Sequence, residues 1–283
     1  MITLLLFACG PELPRYGLLD GPRLLAVRAD APTLFETETS VVDALTYDPD
    51  GDPVDLSWSW CPWVGDANSG YACLVSEEDF ASAVPSATPY DLGTDSTATW
   101  SYDVAVADLQ AFCTASAKSL PPPKGSSFPP ECTDSMQIWF RAVAGVGDET
   151  IEAVKEVTLA FHDGVERNVN PTLDRMLLDG TSLDDAPTAA REDTVEWDAI
   201  PTEGTAQESA ELGRTEELLW SWFSSAGESE WQRTGTIDGE VSLDDASTNE
   251  WTAPDEAGDV DFAVVLRDER GGVDWLLGSA TVD

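Results

Sequence analysis

The chain has 283 residues, with 54 Asp and Glu against 14 Lys and Arg, a formal charge of 14 − 54 = −40. Hydrophobic residues make up 42% and charged residues 24%, enough apolar side chain for packed cores, so this is not a disordered acidic tail. The charge counts against nucleic acid and anionic headgroups as partners, since both demand clustered Lys and Arg, and a single histidine rules out most imidazole catalysis and zinc chemistry.

At this length one large or two ordinary domains are expected. The acids are spread in short clusters such as Glu77-Glu78-Asp79 and Asp184-Asp185, as on a solvated surface. Three lysines (Lys118, Lys124, Lys155) against eleven arginines fit a salt-adapted composition.

Residues 1–9 read MITLLLFAC. The apolar run Ile2 to Ala8 is far short of the roughly 20 residues a membrane-spanning helix needs, and matches the end of a secretory signal. Leu6-Phe7-Ala8-Cys9 resembles the lipobox of bacterial lipoproteins, which implies acylation of the Cys9 thiol and a mature chain beginning there. No Lys or Arg precedes the run, so a start upstream of Met1 is expected. The remaining cysteines, Cys61, Cys73, Cys113 and Cys132, lie 12, 40 and 19 residues apart, too far for a zinc ribbon. An even number in an exported chain suggests two disulfides with three possible connectivities. The sequential pairing Cys61–Cys73 and Cys113–Cys132 closes the short loops and is preferred, each bridge being worth about 3 kcal/mol.

Along the chain, Ser40 to Tyr47 alternates like a half-buried strand. Asp48-Pro49-Asp50-Gly51-Asp52-Pro53 follows as a turn. Asp48, Asp50 and Asp52 are the best metal candidates, a Ca²⁺ site of closely spaced carboxylates. However, the glycine is fourth rather than sixth and Ser59 stands at the twelfth position, so the loop is not an EF-hand. Leu56-Ser57-Trp58-Ser59-Trp60 then recurs as Leu218-Leu219-Trp220-Ser221-Trp222, offset by 162 residues. Period two puts Leu, Trp and Trp on one strand face, as a sandwich core requires. Met136 to Ala144 and Ile151 to Phe161, around Gly145-Val146-Gly147, read as a hairpin. So do Val260 to Arg267 and Val273 to Val282 around Gly271-Gly272. Asp193 to Ala199 mirrors the alternating strand of the first half.

These repeats predict an all-β protein of two Ig-like β-sandwich domains. The first spans residues 22–162 and the second 172–283, joined by a polar linker at 163–171. The first carries about 38 extra residues, since Trp60 to Met136 is 76 residues and Trp222 to Val260 is 38. This disulfide-bearing insertion, at about 62–135, is expected to hold a short helix from an Asp103 cap to about Ala117, with Val104, Ala107, Phe112 and Cys113 as its apolar face. A long loop pinned by disulfides and prolines on a rigid scaffold is either a stabilised excursion or a recognition element.

The Asp-Pro-Asp-Gly turn before the Trp strand, Trp251-Thr252-Ala253-Pro254, and Arg267-Asp268-Glu269-Arg270-Gly271-Gly272 before the last strand resemble PKD-type and related Ig-like domains. With the lipobox they are similar to surface lipoproteins of myxobacterial type carrying tandem Ig-like domains. The resemblance covers most of Leu24 to Asp283 outside the insertion and is nearly silent on activity. It implies a protein held to the membrane by an N-terminal lipid, exported to the bacterial cell envelope, at the outer membrane, and serving interaction, adhesion or structural support with an envelope protein or glycan. No catalytic residue is expected: His162 has no nucleophile elbow near it in sequence, and no phosphate-binding glycine loop appears. Against this stands a carbohydrate-binding or hydrolytic accessory role, with Trp63, Trp100, Trp231, Trp251 and Trp275 as a possible aromatic platform, and a third reading as a spacer off the membrane.

Overall fold

The computed structural model describes residues 16–116, 132–146, 149–237 and 240–283. In the first half the strands are β1 (Arg23–Ala29), β2 (Thr33–Leu34), β3 (Thr39–Tyr47), β4 (Asp55–Cys61), β5 (Asp91–Gly93), β6 (Thr97–Ser101), β7 (Ser135–Val146) and β8 (Glu149–Ala160). One sheet runs β1-β3-β6 and the facing sheet β2-β8-β7-β4-β5. Neighbours are antiparallel except β2 beside β8. The alternation in β3 does what period two requires, burying Ser40 and Val42 while Thr39 and Val41 face water.

The second half repeats the plan with β9 (Leu173–Leu178), β10 (Thr181–Ser182), β11 (Thr188–Ala189), β12 (Thr194–Pro201), β13 (Glu208–Ser209), β14 (Arg214–Thr215), β15 (Leu218–Ser224), β16 (Glu228–Ser229), β17 (Arg233–Gly235), β18 (Thr248–Thr252), β19 (Gly258–Asp268) and β20 (Val273–Val282). Its sheets run β10-β9-β12-β18-β16 and β11-β20-β19-β15-β17, with β13 and β14 a separate ladder. A short parallel strand again lies beside the last one, β11 against β20. Two Ig-like β-sandwiches are therefore built on one strand order.

The Trp strands are central in both. β4 sits between β7 and β5, and β15 between β19 and β17. Trp58, Trp60, Trp220 and Trp222 are at most 2% exposed, and each buried indole N–H finds an acceptor: Asp95 O, Pro89 O, Ala199 O and Thr234 Oγ1. A second repeat, less visible in sequence, supplies the opposite wall: Trp100 on β6 and Trp251 on β18 are buried at equivalent positions. Trp100 meets Trp60 edge-on at 5.1 Å, and Trp251 meets Phe262 at 5.0 Å.

The extra length of the first sandwich is not one block over about 62–135. β5 and β6 lie inside that range and belong to the two sheets, because Trp100 is needed to close the core. Two separate excursions remain. One follows β4 and holds helix α1 (Glu77–Ala83); the other lies between β6 and β7 and holds helix α2 (Val106–Ser116). α2 starts beyond Asp103 and buries Leu109, Phe112 and Cys113, whereas Ala107 faces solvent.

The two sandwiches pack face to face. Leu25 and Ala26 of β1 and Leu45 of β3 form an apolar cluster with Phe223 of β15, Ala263 and Val265 of β19, and Val273 of β20. Arg28 is the polar clasp at its edge. It pairs with Asp43 at 2.7 Å and with Asp274 of the second sandwich at 2.8 Å, and lies 4.0 Å over the Trp275 ring. Arg267 adds a bond to the Leu25 carbonyl at 3.0 Å. The stretch read as a polar linker is also packed: Asn168 is buried, and Asn170 bonds both the Ala29 carbonyl and the Val273 amide. Residues ahead of β1 are strapped onto the second sandwich rather than the first. The Leu19 amide donates to Ser224 O and the Ser224 amide to Gly17 O, both at 2.9 Å, and Tyr16 lies 5.3 Å from the Phe223 ring. Gly17 is required there, since a Cβ would stand 2.7 Å from the Trp222 carbonyl oxygen.

Candidate interaction surface

The two excursions of the first sandwich fold against each other. Cys61, the last residue of β4, is joined to Cys73, and Cys113 of α2 to Cys132 just ahead of β7. Between Cys61 and Cys73 the chain forms a small hairpin, with Leu74 N donating to Trp63 O and Gly65 N to Ala72 O. Helix α1 then begins with a cap legible as Ser-x-x-Asp: Ser76 Oγ accepts from Asp79 N at 3.1 Å. Glu77, Glu78 and Asp79 fill its first turn, where carboxylates favour the helix dipole. The acidic cluster of the sequence thus has a structural job. Phe80 of α1 and Phe112 of α2 meet edge-on at 4.8 Å, Trp63 stacks on Phe112 at 5.0 Å, and Phe80 touches Trp60 of the sandwich core at 5.5 Å. Gln110 bonds the carbonyls of Cys132 and Thr133.

This aromatic floor supports a groove of about 470 Å³ between the helices. Its lining is Leu74, Val75, Asp79, Ala83, Ala111, Phe112, Ala115 and Ser116. Leu74, Ala83, Ala111 and Ala115 are exposed apolar positions, so the groove can take an apolar chain segment with little rearrangement of its walls. Sequence reading found Phe112 and the cysteines but missed α1 and the Leu74 and Ala111 walls. The signal was present in the Ser76 capping motif and in the four-residue spacing of Ala111 and Ala115.

The other sequence candidates do not converge with it. Cys9 lies outside the described residues. Asp48, Asp50 and Asp52 sit in an exposed turn where Asp48 Oδ1 accepts the Asp50 amide at 2.8 Å and Gly51, at φ 72°, bonds back to Asp48 O. Among the described residues no three His, Cys, Asp or Glu side chains gather as metal ligands. Both nitrogens of His162 are engaged, Nε2 with Asp134 at 2.9 Å and Nδ1 as acceptor from Gly164 N at 3.0 Å, so it is not poised as a general base for a serine. Among the described residues these tryptophans do not gather into one platform: Trp63, Trp100 and Trp251 are buried in cores, Trp275 is half-buried beneath Arg28, and Trp231 is 56% exposed. Two disulfides in one chain fit an oxidising, exported setting. No helix among the described residues is long and apolar enough to cross a membrane.

No protein-family model matches the sequence, and no curated protein matches it. Among solved structures, the chain is similar to the fibronectin(III)-like modules of CbhA from Clostridium thermocellum, at 13% identity over 91% of this chain and 93% of that one, with a TM-score of 0.24. The three N-terminal domains of the bacteriophage RB49 outer capsid protein Hoc give 11% identity over 93% and 70%, and the Yersinia pseudotuberculosis adhesin InvE 10% over 91% and 58%, each with a TM-score of 0.24. At that score these likenesses decide nothing about function; the sandwich assignment rests on the strand order above.

Proposed function

We propose that this is a lipid-anchored protein of the bacterial cell envelope, at the outer membrane, that acts by binding rather than catalysis, and that its contact surface is the groove between α1 and α2. The observation that carries the reading is the groove itself: exposed apolar walls at Leu74, Ala83, Ala111 and Ala115 on a floor fixed by two disulfides and a Phe80–Phe112–Trp63 stack. Most of the surface is strongly acidic, so an apolar recess on it selects for a hydrophobic segment of a partner protein. The fixed walls keep the ordering cost of binding low. In this reading an N-terminal lipid on Cys9 holds the groove near other envelope proteins, with more than one acyl chain for stable anchoring.

The test is a photo-cross-linking residue placed at Ala111, with the exposed Asp95, outside the groove lining, as control position, in cells that produce the full chain. A cross-linked product of defined mass at Ala111 that disappears in a Leu74→Glu background is expected. Cross-linking at Ala111 no greater than at Asp95 would sink the groove assignment. Mass spectrometry of the purified chain tests the anchor independently, by the acyl mass on Cys9.

A further inference from the structure

The groove between α1 and α2 restricts the shape of what can dock in it, given that it is the contact surface. Both walls are helices, whose backbone N–H and C=O groups bond within the helix, so they offer no sheet edge to which a strand could be added. An extended segment laid there would leave its own backbone groups unpaired against apolar side chains, whereas a helix satisfies them internally. The side chains along the walls are small. Ala111 and Ala115 stand one turn apart on α2 and form one row, and Ala83 lines the groove from α1. Short side chains at a contact let another helix axis approach closely. With 11 residues, α2 is about 16 Å long, room for roughly three turns of a docked helix.

The rim decides the charge of that helix. Asp79 lines the groove one turn ahead of Ala83 on α1, and Asp108 stands one turn ahead of Ala111 on α2. Glu77 and Glu78 add exposed carboxylates at the start of α1. From Ala29 to Ala117 the sequence holds 16 Asp and Glu and no Lys or Arg, and the next bases, Lys118 and Lys124, lie outside the described residues. Counting both leaves 16 acids against two bases up to Lys124. The bases that other segments bring to the first sandwich are engaged elsewhere. Arg28 is held by Asp43 and Asp274, Arg141 by Glu152 and Arg167 by Glu38, each at 2.8 Å or less. Arg23 pairs with Asp20, His162 faces Asp134, and Lys155 is buried toward the second sandwich. An apolar strip flanked by uncompensated carboxylates matches a helix with an apolar stripe and Lys or Arg beside it. It repels an acidic helix or an anionic lipid headgroup.

We infer that the groove takes a basic amphipathic helix of a partner protein, its apolar stripe on Leu74, Ala83, Ala111 and Ala115 and its Lys or Arg residues beside Glu78, Asp79 and Asp108. The carboxylates steer the approach and set the orientation, and the apolar walls hold the helix once docked. Added salt therefore slows association by screening the rim, while filling the groove removes the complex at any salt.

The experiment is a fluorescence-anisotropy titration of the full chain, near physiological ionic strength, with three labelled synthetic peptides. One is a Leu/Lys peptide patterned as an amphipathic helix, the second has Glu for every Lys, and the third is the Leu/Lys peptide scrambled to lose the helical period. Saturable binding of the patterned Leu/Lys peptide is expected, with the other two at least about tenfold weaker. Ala115→Trp fills the groove without changing the charge and should weaken that binding by about tenfold or more. Glu78→Lys with Asp108→Lys leaves the apolar walls in place, and should weaken the Leu/Lys peptide and strengthen the Glu peptide. Binding of the Leu/Lys peptide that survives Ala115→Trp in a folded protein, or a scrambled peptide that binds as tightly, is attraction to the acidic surface at large and overturns the inference. Equal binding of the Glu peptide overturns the charge of the partner. The cross-link at Ala111 decides the groove itself, so a groove that cross-links in cells but takes neither patterned peptide overturns the helix while the contact surface stands.

Discussion

Lys155 gives the sharpest test of how the two sandwiches are joined. It lies on β8 in the row of Val157 and Leu159, is 4% exposed, and reaches the β19–β20 turn of the second sandwich, where a Cβ on Gly271 would stand 3.8 Å from Nζ. Burial lowers its pKa to about 8, reinforced by Arg267 and opposed by Asp268 and Glu156. The unfolded chain holds that proton up to about pH 10.4, so between the two values the unfolded state binds more protons and stability rises with pH. Each pH unit across the window is worth about 1.4 kcal/mol, and from pH 7 to 10 the gain is roughly 2 to 3 kcal/mol. The perturbation is Lys155→Met, which keeps the apolar stem and removes the titration. Urea unfolding followed by tryptophan fluorescence, run on both proteins at pH 7, 8, 9 and 10, yields the difference in stability. Repulsion among the many carboxylates is common to both and cancels. Wild type should gain on the variant steadily as the pH rises. Parallel curves, or a gap moving the other way, would refute the argument that a charged amine is buried at this junction.

Three further outcomes follow from the geometry. Cys61→Ser with Cys73→Ser should cost about 3 kcal/mol, read as a lowered melting temperature that the reduced wild type shares; an unchanged melting temperature would mean that the hairpin after β4 contributes no stability. Trp222→Ala removes a fully buried ring that meets Trp197 at 4.9 Å, and should destabilise by about 3–5 kcal/mol in denaturant unfolding; a loss under about 1 kcal/mol would contradict the packing. Val265→Asp places a charge in the apolar seam between the sandwiches and away from either inner core. Small-angle scattering should then show a larger radius of gyration with strand content by circular dichroism kept, and an unaltered scattering curve would refute the seam.

What could be read from the chain tracks how local each signal is. The Leu-Trp-Trp alternation and the glycine turns are each contained within a few residues, and β4, β15 and both last hairpins lie where they were expected. β6 and β18 were obscured because Thr97–Ser101 and Thr248–Thr252 share little beyond a Trp and a Thr at each start, so two excursions read as one insertion. The seam between the sandwiches had a visible mark that went unused. β15 and β19 are apolar on both faces, as strands covered on both sides are. Lys155 and Asp268 could not be singled out, because a charge becomes special only when distant elements bury it. The groove has the same origin: Leu74 and Ala111 are ordinary residues until the fold brings them together.

The strap at Tyr16–Leu19 changes how the molecule bears tension. A pull applied between residue 16 and residue 283 enters through bonds to Ser224 on β15 and leaves through β20, both in the second sandwich. The first sandwich hangs outside that load path as a closed side loop, and its groove keeps its shape while its neighbour is stretched. Only when the hydrogen bonds at Ser224 and the packing of Tyr16 and Leu19 on the second sandwich give way would the force pass through β1, which would make the strap a mechanical fuse ahead of the first sandwich.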